Sequence, residues 1–173
     1  MPNFLDRVLA TPALARLRRN HGLEHAAIHV FTARHPGRPV AGHSDPAGFW
    51  LFGELSTEEV RQSVEDALGR LRAGERHLAV HPNCGTNLVT SGMVAGLAAG
   101  IAMAGAGPRP QQRLERLPLA GLLAAGALLI ARPLGPRIQQ RITTSGDPAG
   151  LEIHTIRQTQ RGGMAAHRVS TRS

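Results

Sequence analysis

Two short strings carry residue types that could do chemistry. The first is HGLEH, His21 to His25, where two imidazoles stand four residues apart with a carboxylate between them. On a helix that spacing puts both rings on one face, one turn apart, so both can reach a single metal ion at about 2.0–2.1 Å. Glu24 lies on the adjoining edge, where a carboxylate can orient or deprotonate a metal-bound water. The second string is HPNCGTN, His81 to Asn87, which sets His81 three residues before Cys84, the only cysteine of the chain. Imidazole and thiolate are a natural zinc pair. His21, His25, His81 and Cys84 together would close a structural site; three of them with a water and Glu24 as base would make a hydrolytic one. The residues alone leave both open.

A third region, GPRIQQRITTSGDPAGLEIHTI, returns polar groups toward the same place. Gln139, Thr143, Thr144 and Glu152 are its candidates for hydrogen bonds that orient the ligands or for a further carboxylate, although Thr143 and Thr144 before Asp147-Pro148 also suit a turn and helix cap. His29 extends the four-residue row of His21 and His25, but a third ligand from one straight helix strains the geometry, so it reads as a neighbour. His35, His43, His77, His154 and His167 read as ordinary surface or core histidines.

These strings need elements to hold them. HGLEH sits in a segment that continues helically through AAIHVF. Before it, MPNFLDRVLATPALARLRRN reads as a basic amphipathic helix that Pro12 breaks or restarts, and not as a secretory signal, because Asp6 interrupts any apolar core. The segment STEEVRQSVEDALGRLRAGE predicts a helix, with Ser56 and Glu59 as a capping box and Val60, Val64, Ala67, Leu68 and Leu71 as its apolar stripe. RPVAG and GFWLFGEL around the turn-rich HSDPA predict two strands, with Phe49, Trp50 and Phe52 in the core, and RHLAVHP predicts a third.

No charged residue occurs between Arg76 and Arg109. The apolar part of that stretch, Asn87 to Gly107, has the roughly 20 residues that a membrane-crossing helix needs. Gly92, Gly96 and Gly100 recur every fourth residue, a face on which a second helix, from a homo-oligomer or a partner membrane protein, can approach closely. A second run, Leu117 to Ala131, is short for a full span and reads as a tilted or re-entrant segment completing a hairpin. The expected class is thus an α+β membrane protein. Its parts are basic N-terminal helices with the histidine motif (1–36), a small soluble β-β-α-β insert (37–84), a transmembrane or re-entrant hairpin (85–135), and a polar C-terminal segment with a disordered tail (136–173). Arginines outside the hairpin outnumber those in its connector, which places the bulk on the cytoplasmic side of the inner membrane.

Composition narrows the function classes. The 173 residues are 42% hydrophobic and 18% charged, too apolar for a disordered chain. Every one of the 20 basic residues is arginine, giving a formal charge of +8. The arginines are scattered and aromatics make up only 3%, which argues against nucleic acid as the partner. No string for covalent haem is present.

In their order, HGLEH, HPNCGT and QQRITTSGDPAGLEI resemble the YqhQ-like family of bacterial membrane proteins, held to be metal-dependent. The likeness is concentrated at 21–28, 81–88 and 134–156. It implies that His21, Glu24, His25, His81 and Cys84 belong to one site, with Gln139, Thr143, Thr144 and Glu152 near it. Ala26 and Asn83 depart from that pattern, as does the soluble insert. What the resemblance and the residues jointly lead one to expect is a membrane metalloprotein, with zinc as the metal: either a hydrolase that uses metal-activated water, or a non-catalytic scaffold with a structural metal or hydrogen-bonded cluster.

Overall fold

A computed structural model describes residues 3–172. It divides into two compact units, one running through His81 and resuming at Gln140, the other Pro82–Gln139.

The first unit starts with a short helix α1 (Phe4–Leu9), capped by Asn3 and Asp6 in a reciprocal capping box. Helix α2 (Pro12–Arg34) follows, with Pro12 in its first turn, where the missing N–H has no helical partner to lose. Strands β1 (Ala41–Asp45) and β2 (Gly48–Phe52) form a hairpin. Its turn is set by Asp45, whose side chain accepts the Ala47 N–H at 2.8 Å. At Gly48 the backbone has φ +145°, and a side chain there would strike the Val169 carbonyl. Helix α3 (Thr57–Arg72) carries the expected capping box, Ser56 with Glu59, and buries Val60, Val64, Ala67, Leu68 and Leu71. A 3₁₀ turn, Arg76–Ala79, closes this part.

After the second unit the chain returns as a β-hairpin, β3 (Glu152–Arg161) and β4 (Met164–Arg172). The antiparallel sheet has the order β1-β2-β4-β3, so the C-terminal hairpin adds itself to the edge of the first one. Helices α2 and α3 pack together, and Leu23, Ala27, Val30 and Phe31 of α2 meet Phe49, Leu51, Val169 and the α3 stripe in one core.

Three expectations are corrected here. RHLAVHP is a 3₁₀ turn and not a strand, because Leu78 and Ala79 both turn inward, which the two-residue alternation of a strand forbids. The β-β-α-β insert is therefore β-β-α, and its sheet is completed from the C-terminus. The tail expected to be disordered is the hairpin β3–β4. Gly162 and Gly163, at φ +59° and +78°, supply the two left-handed positions of the tightest hairpin turn. Finally, Trp50 and Phe52 leave the core. Phe49 and Leu51 are buried and Trp50 and Phe52 half-buried, since successive strand residues face opposite sides.

The second unit is a helical pair, α4 (Gly85–Ala104) and α5 (Pro110–Ala131), followed by α6 (Leu134–Ile138). Both long helices are long and apolar enough to cross a membrane. Helix α5 starts seven residues before the apolar run that foretold it, at Pro110 in its first turn, so the expected short segment is a 22-residue helix. Arg116 Nη1 donates to the Ala102 carbonyl at 3.2 Å and ties the two helices together near their connection. At the other end, Gln139 donates to Asn87 Oδ1 at 2.6 Å, and Asn87 donates to the Pro82 carbonyl at 2.7 Å. The backbone of Gly135 lies against Asn87, where any side chain would collide with the amide.

Candidate metal centre

Within the first unit, the chain brings three of the predicted donors together. The His21 and His25 rings meet edge-on with centroids 4.4 Å apart, and His81 stands 5.7 Å from His25. Imidazoles bound tetrahedrally to one zinc have centroids roughly 5 Å apart.

The hydrogen bonds fix which nitrogen each ring presents. His21 Nδ1 lies 2.9 Å from the Thr143 carbonyl, and His25 Nδ1 lies 2.8 Å from the Ala79 carbonyl. A carbonyl can only accept, so both Nδ1 atoms carry a proton, and in the neutral ring the lone pair of each is then on Nε2. Metal-ligating histidines are oriented in this way. His29 is different. Its Nε2 donates to the Val80 carbonyl at 2.9 Å, and its ring packs 4.8 Å from that of His81. Burial first, then the nearby His29 and His25, push the His81 imidazole down to about 4, so near neutral pH it is in the uncharged form that binds metals.

The carbonyl that holds His21 is itself held. Ser145 N–H donates to the Arg18 carbonyl at 2.8 Å. In return, Arg18 Nη2 donates to the carbonyls of Arg141 and Thr144 at 3.0 and 3.2 Å. The approach of this segment requires Gly22, because a side chain there would strike the Ser145 carbonyl. Thr143 thus contributes through its backbone, and Thr144 is fully buried beside it.

Glu24 reaches toward the sheet, with His21 still near enough to act on its charge. Its Oε2 accepts the hydroxyl of Ser44, and the carboxylate lies over Gly42, where a Cβ would fall on it. Only 4% of the residue is exposed. Burial raises its carboxyl above the usual range, against the opposing effects of the Ser44 bond and of His21. Glu152 goes elsewhere, to an exposed ion pair with Arg172 at 2.9 Å. Gln139 and Cys84 belong to the second unit. Cys84 caps α4, its sulfur accepting the Thr86 N–H at 3.4 Å.

Sequence reasoning missed Arg18, Gly22, Gly42, Ser44 and Ser145. Only Gly22 left a signal: a glycine inside a helix is unfavourable and marks a close approach.

An α+β unit that gathers three imidazoles, joined to a pair of long apolar helices, defines a small two-part protein. The chain belongs to the family described as a domain of unknown function, DUF6391, whose match runs over residues 16–156 and so spans all the candidate donors. It is 37% identical over 179 residues to an uncharacterised protein of the cyanobacterium Picosynechococcus sp., covering 97% of this chain and 85% of that one. No solved structure matches it.

Proposed function

We propose that this protein is a membrane-anchored metalloprotein in which His21, His25 and His81 hold a divalent cation that fastens α2 to the segments ending at Ala79 and Thr143. The observation that carries the reading is the pair of Nδ1 bonds to backbone carbonyls, which present two Nε2 lone pairs from one helix face. Zinc suits such donors. Cys84 follows His81 by three residues, a reach of roughly 11 Å at most, and its thiolate is the candidate fourth donor. A closed set of four is structural in character, and the order of motifs shared with the YqhQ-like resemblance supports the same ligand set. The metal would supply cross-linking of segments distant in sequence. The chain's own part is to fix the tautomers and to keep His81 uncharged.

The second reading, a hydrolase working through metal-activated water, is favoured by one observation: Glu24 is a buried carboxyl with raised proton affinity on which His21 acts electrostatically. Its bond to Ser44 supports the scaffold more. In the scaffold reading, Gly92, Gly96 and Gly100, with nothing within 4 Å of where a side chain would start, offer a face to a second copy or a partner helix. Helices α4 and α5 span the inner membrane, with the first unit on the cytoplasmic side by the arginine bias.

Elemental analysis of the full chain purified in detergent tests this. One equivalent of metal is expected in the wild type and its loss in His25→Ala. Cobalt substitution should give a tetrahedral visible spectrum, with a thiolate charge-transfer band that Cys84→Ser removes. Glu24→Gln separates the readings, since a scaffold keeps metal and function while a hydrolase keeps metal and loses turnover. A wild type that binds neither zinc nor cobalt ends the proposal.

A further inference from the structure

The outer face of the sheet carries a feature that the metal does not use. Across the four strands, His43, Trp50, Arg168 and Arg157 are successive register partners, so they form one row on the side away from the core. Arg161 belongs to the same side of β3 as Arg157 and leans back over the row, its guanidinium 4.8 Å from the centre of the Trp50 ring. The Arg168 guanidinium lies 5.0 Å from that same centre. Asp45 grips Arg168 with both carboxylate oxygens at 2.8 Å. Arg157 and Arg161 are exposed, and among the described residues neither pairs with a carboxylate.

Like charges directly opposite each other on neighbouring strands are unfavourable. Arg157 and Arg168 occupy such a pair, and Asp45 offsets only one charge of the three. What remains is two uncompensated guanidiniums, Arg161 against the aromatic plate and Arg157 in the same row of the sheet, which matches a phosphate diester: bidentate donors for its oxygens and an amphipathic ring for what the phosphate is attached to. The chain itself points to the source. Only Pro82, Asn83 and Cys84 separate His81 from α4, and the return to Gln140 follows α6 directly. If α4 spans a bilayer, the first unit is tethered within a few residues of lipid headgroups, at high effective concentration.

We infer that this Arg–Trp–Arg face binds the headgroup of an anionic phospholipid. The inference rests on the membrane part of the function proposed above. Trp50 is the sole tryptophan and the chain has no tyrosine, so intrinsic fluorescence reports this face alone. The full chain in neutral detergent micelles is titrated with phosphatidylglycerol, phosphatidylcholine, water-soluble glycerol 3-phosphate, or polyglutamate. The expected result is a saturable change in Trp50 emission with phosphatidylglycerol only, weakened roughly thirtyfold in Arg157→Gln/Arg161→Gln, from about 1 kcal/mol per arginine. Arg157→Gln alone should weaken it about fivefold and guards against a misfolded double variant, whose metal content and circular dichroism should match the wild type. Equal responses to phosphatidylcholine or to glycerol 3-phosphate, saturation by polyglutamate alone, or an undiminished response in the double variant would overturn it. Alkaline carbonate extraction of native membranes reads the spanning of α4 and α5 separately. Release into the supernatant defeats the membrane reading, whereas retention with a silent Trp50 defeats only the headgroup site.

Discussion

Helices α3 and α4 are both regular, of 16 and 20 residues, but they place their apolar residues in opposite ways. In α3 these residues recur at the helical period and the stripe is buried, while glutamates and arginines cover the other side and pair with each other. In α4 they lie all round. Leu88, Met93, Leu97 and Ile101 are exposed, and only Thr90 and Ala102 are buried. A helix apolar on every side has no favourable place in water. The contrast teaches that the two units treat apolar surface in opposite ways: the first packs it inside, and the second presents it outward on helices long and apolar enough to cross a membrane.

Truncations should break this symmetry most sharply. Phe31→Ala removes a fully buried ring of the first unit and should cost about 3–5 kcal/mol, seen as a large drop in the melting temperature of the detergent-solubilised protein. Leu97→Ala, at an exposed position of α4, should leave that transition unmoved. An equal loss from both would mean that α4 is a core helix after all. Next in size is Leu97→Arg, near the middle of α4, which should cost about 2.5–3.5 kcal/mol of membrane insertion, read as a lower carbonate-resistant fraction. Arg61→Lys, on the wet face of α3, should change nothing.

Legibility in the sequence follows the same division. Patterns made by side chains were readable: the α3 stripe and its capping box, the uncharged stretch of α4, and the face shared by His21 and His25. Two kinds of feature were not. Backbone partners leave no trace in residue types, so the carbonyls of Ala79 and Thr143 that set the tautomers could not be foreseen, nor could the turn of Glu24 toward Ser44. Long-range pairing was the other. Strand β3 offers only Ile153 and Ile156 to the core, too few to announce a strand, and its place beside β4 on the edge of a sheet begun a hundred residues earlier cannot be read locally. The Gly162-Gly163 pair was its one local signal.

Glycines sharpen the comparison at smaller magnitude. Gly42→Ala thrusts a methyl into the Glu24 carboxylate and should destabilise by about 1–3 kcal/mol, with partial recovery when Glu24→Ala makes room. Gly92→Ala in α4 meets nothing within 4 Å, so within the monomer it should be neutral or gain up to about 1 kcal/mol of helix propensity. A clear loss of thermal stability from Gly92→Ala, dependent on protein concentration, would instead reveal a helix packed on that face in an oligomer.

The smallest effect is a slope. His167, on β4, is 1% exposed, with Nε2 on the Thr57 hydroxyl at 3.1 Å and no partner for Nδ1 among the described residues. Burial holds its imidazole below the ordinary 6.5. Above the unfolded value both states are neutral there and stability is complete; as pH falls below about 6.5 the unfolded chain takes up a proton that the folded one refuses, and stability declines until the lowered folded value is reached. Buried Glu24 has the opposite sign, because a raised carboxyl favours the fold at low pH and loses that advantage as pH rises through its folded value. The wild-type curve therefore blends the slope of Glu24 with opposed slopes from His167 and from His81, whose imidazole is also lowered, and only a difference isolates one. Melting temperatures of metal-free protein between about pH 7 and pH 5 should fall more steeply for the wild type than for His167→Gln, where the titrating group is gone but a hydrogen-bonding group for Thr57 remains. Parallel curves would mean that water reaches the His167 ring, and with it that the inner face of the sheet is less dry than the packing of Phe49, Leu51 and Val169 implies.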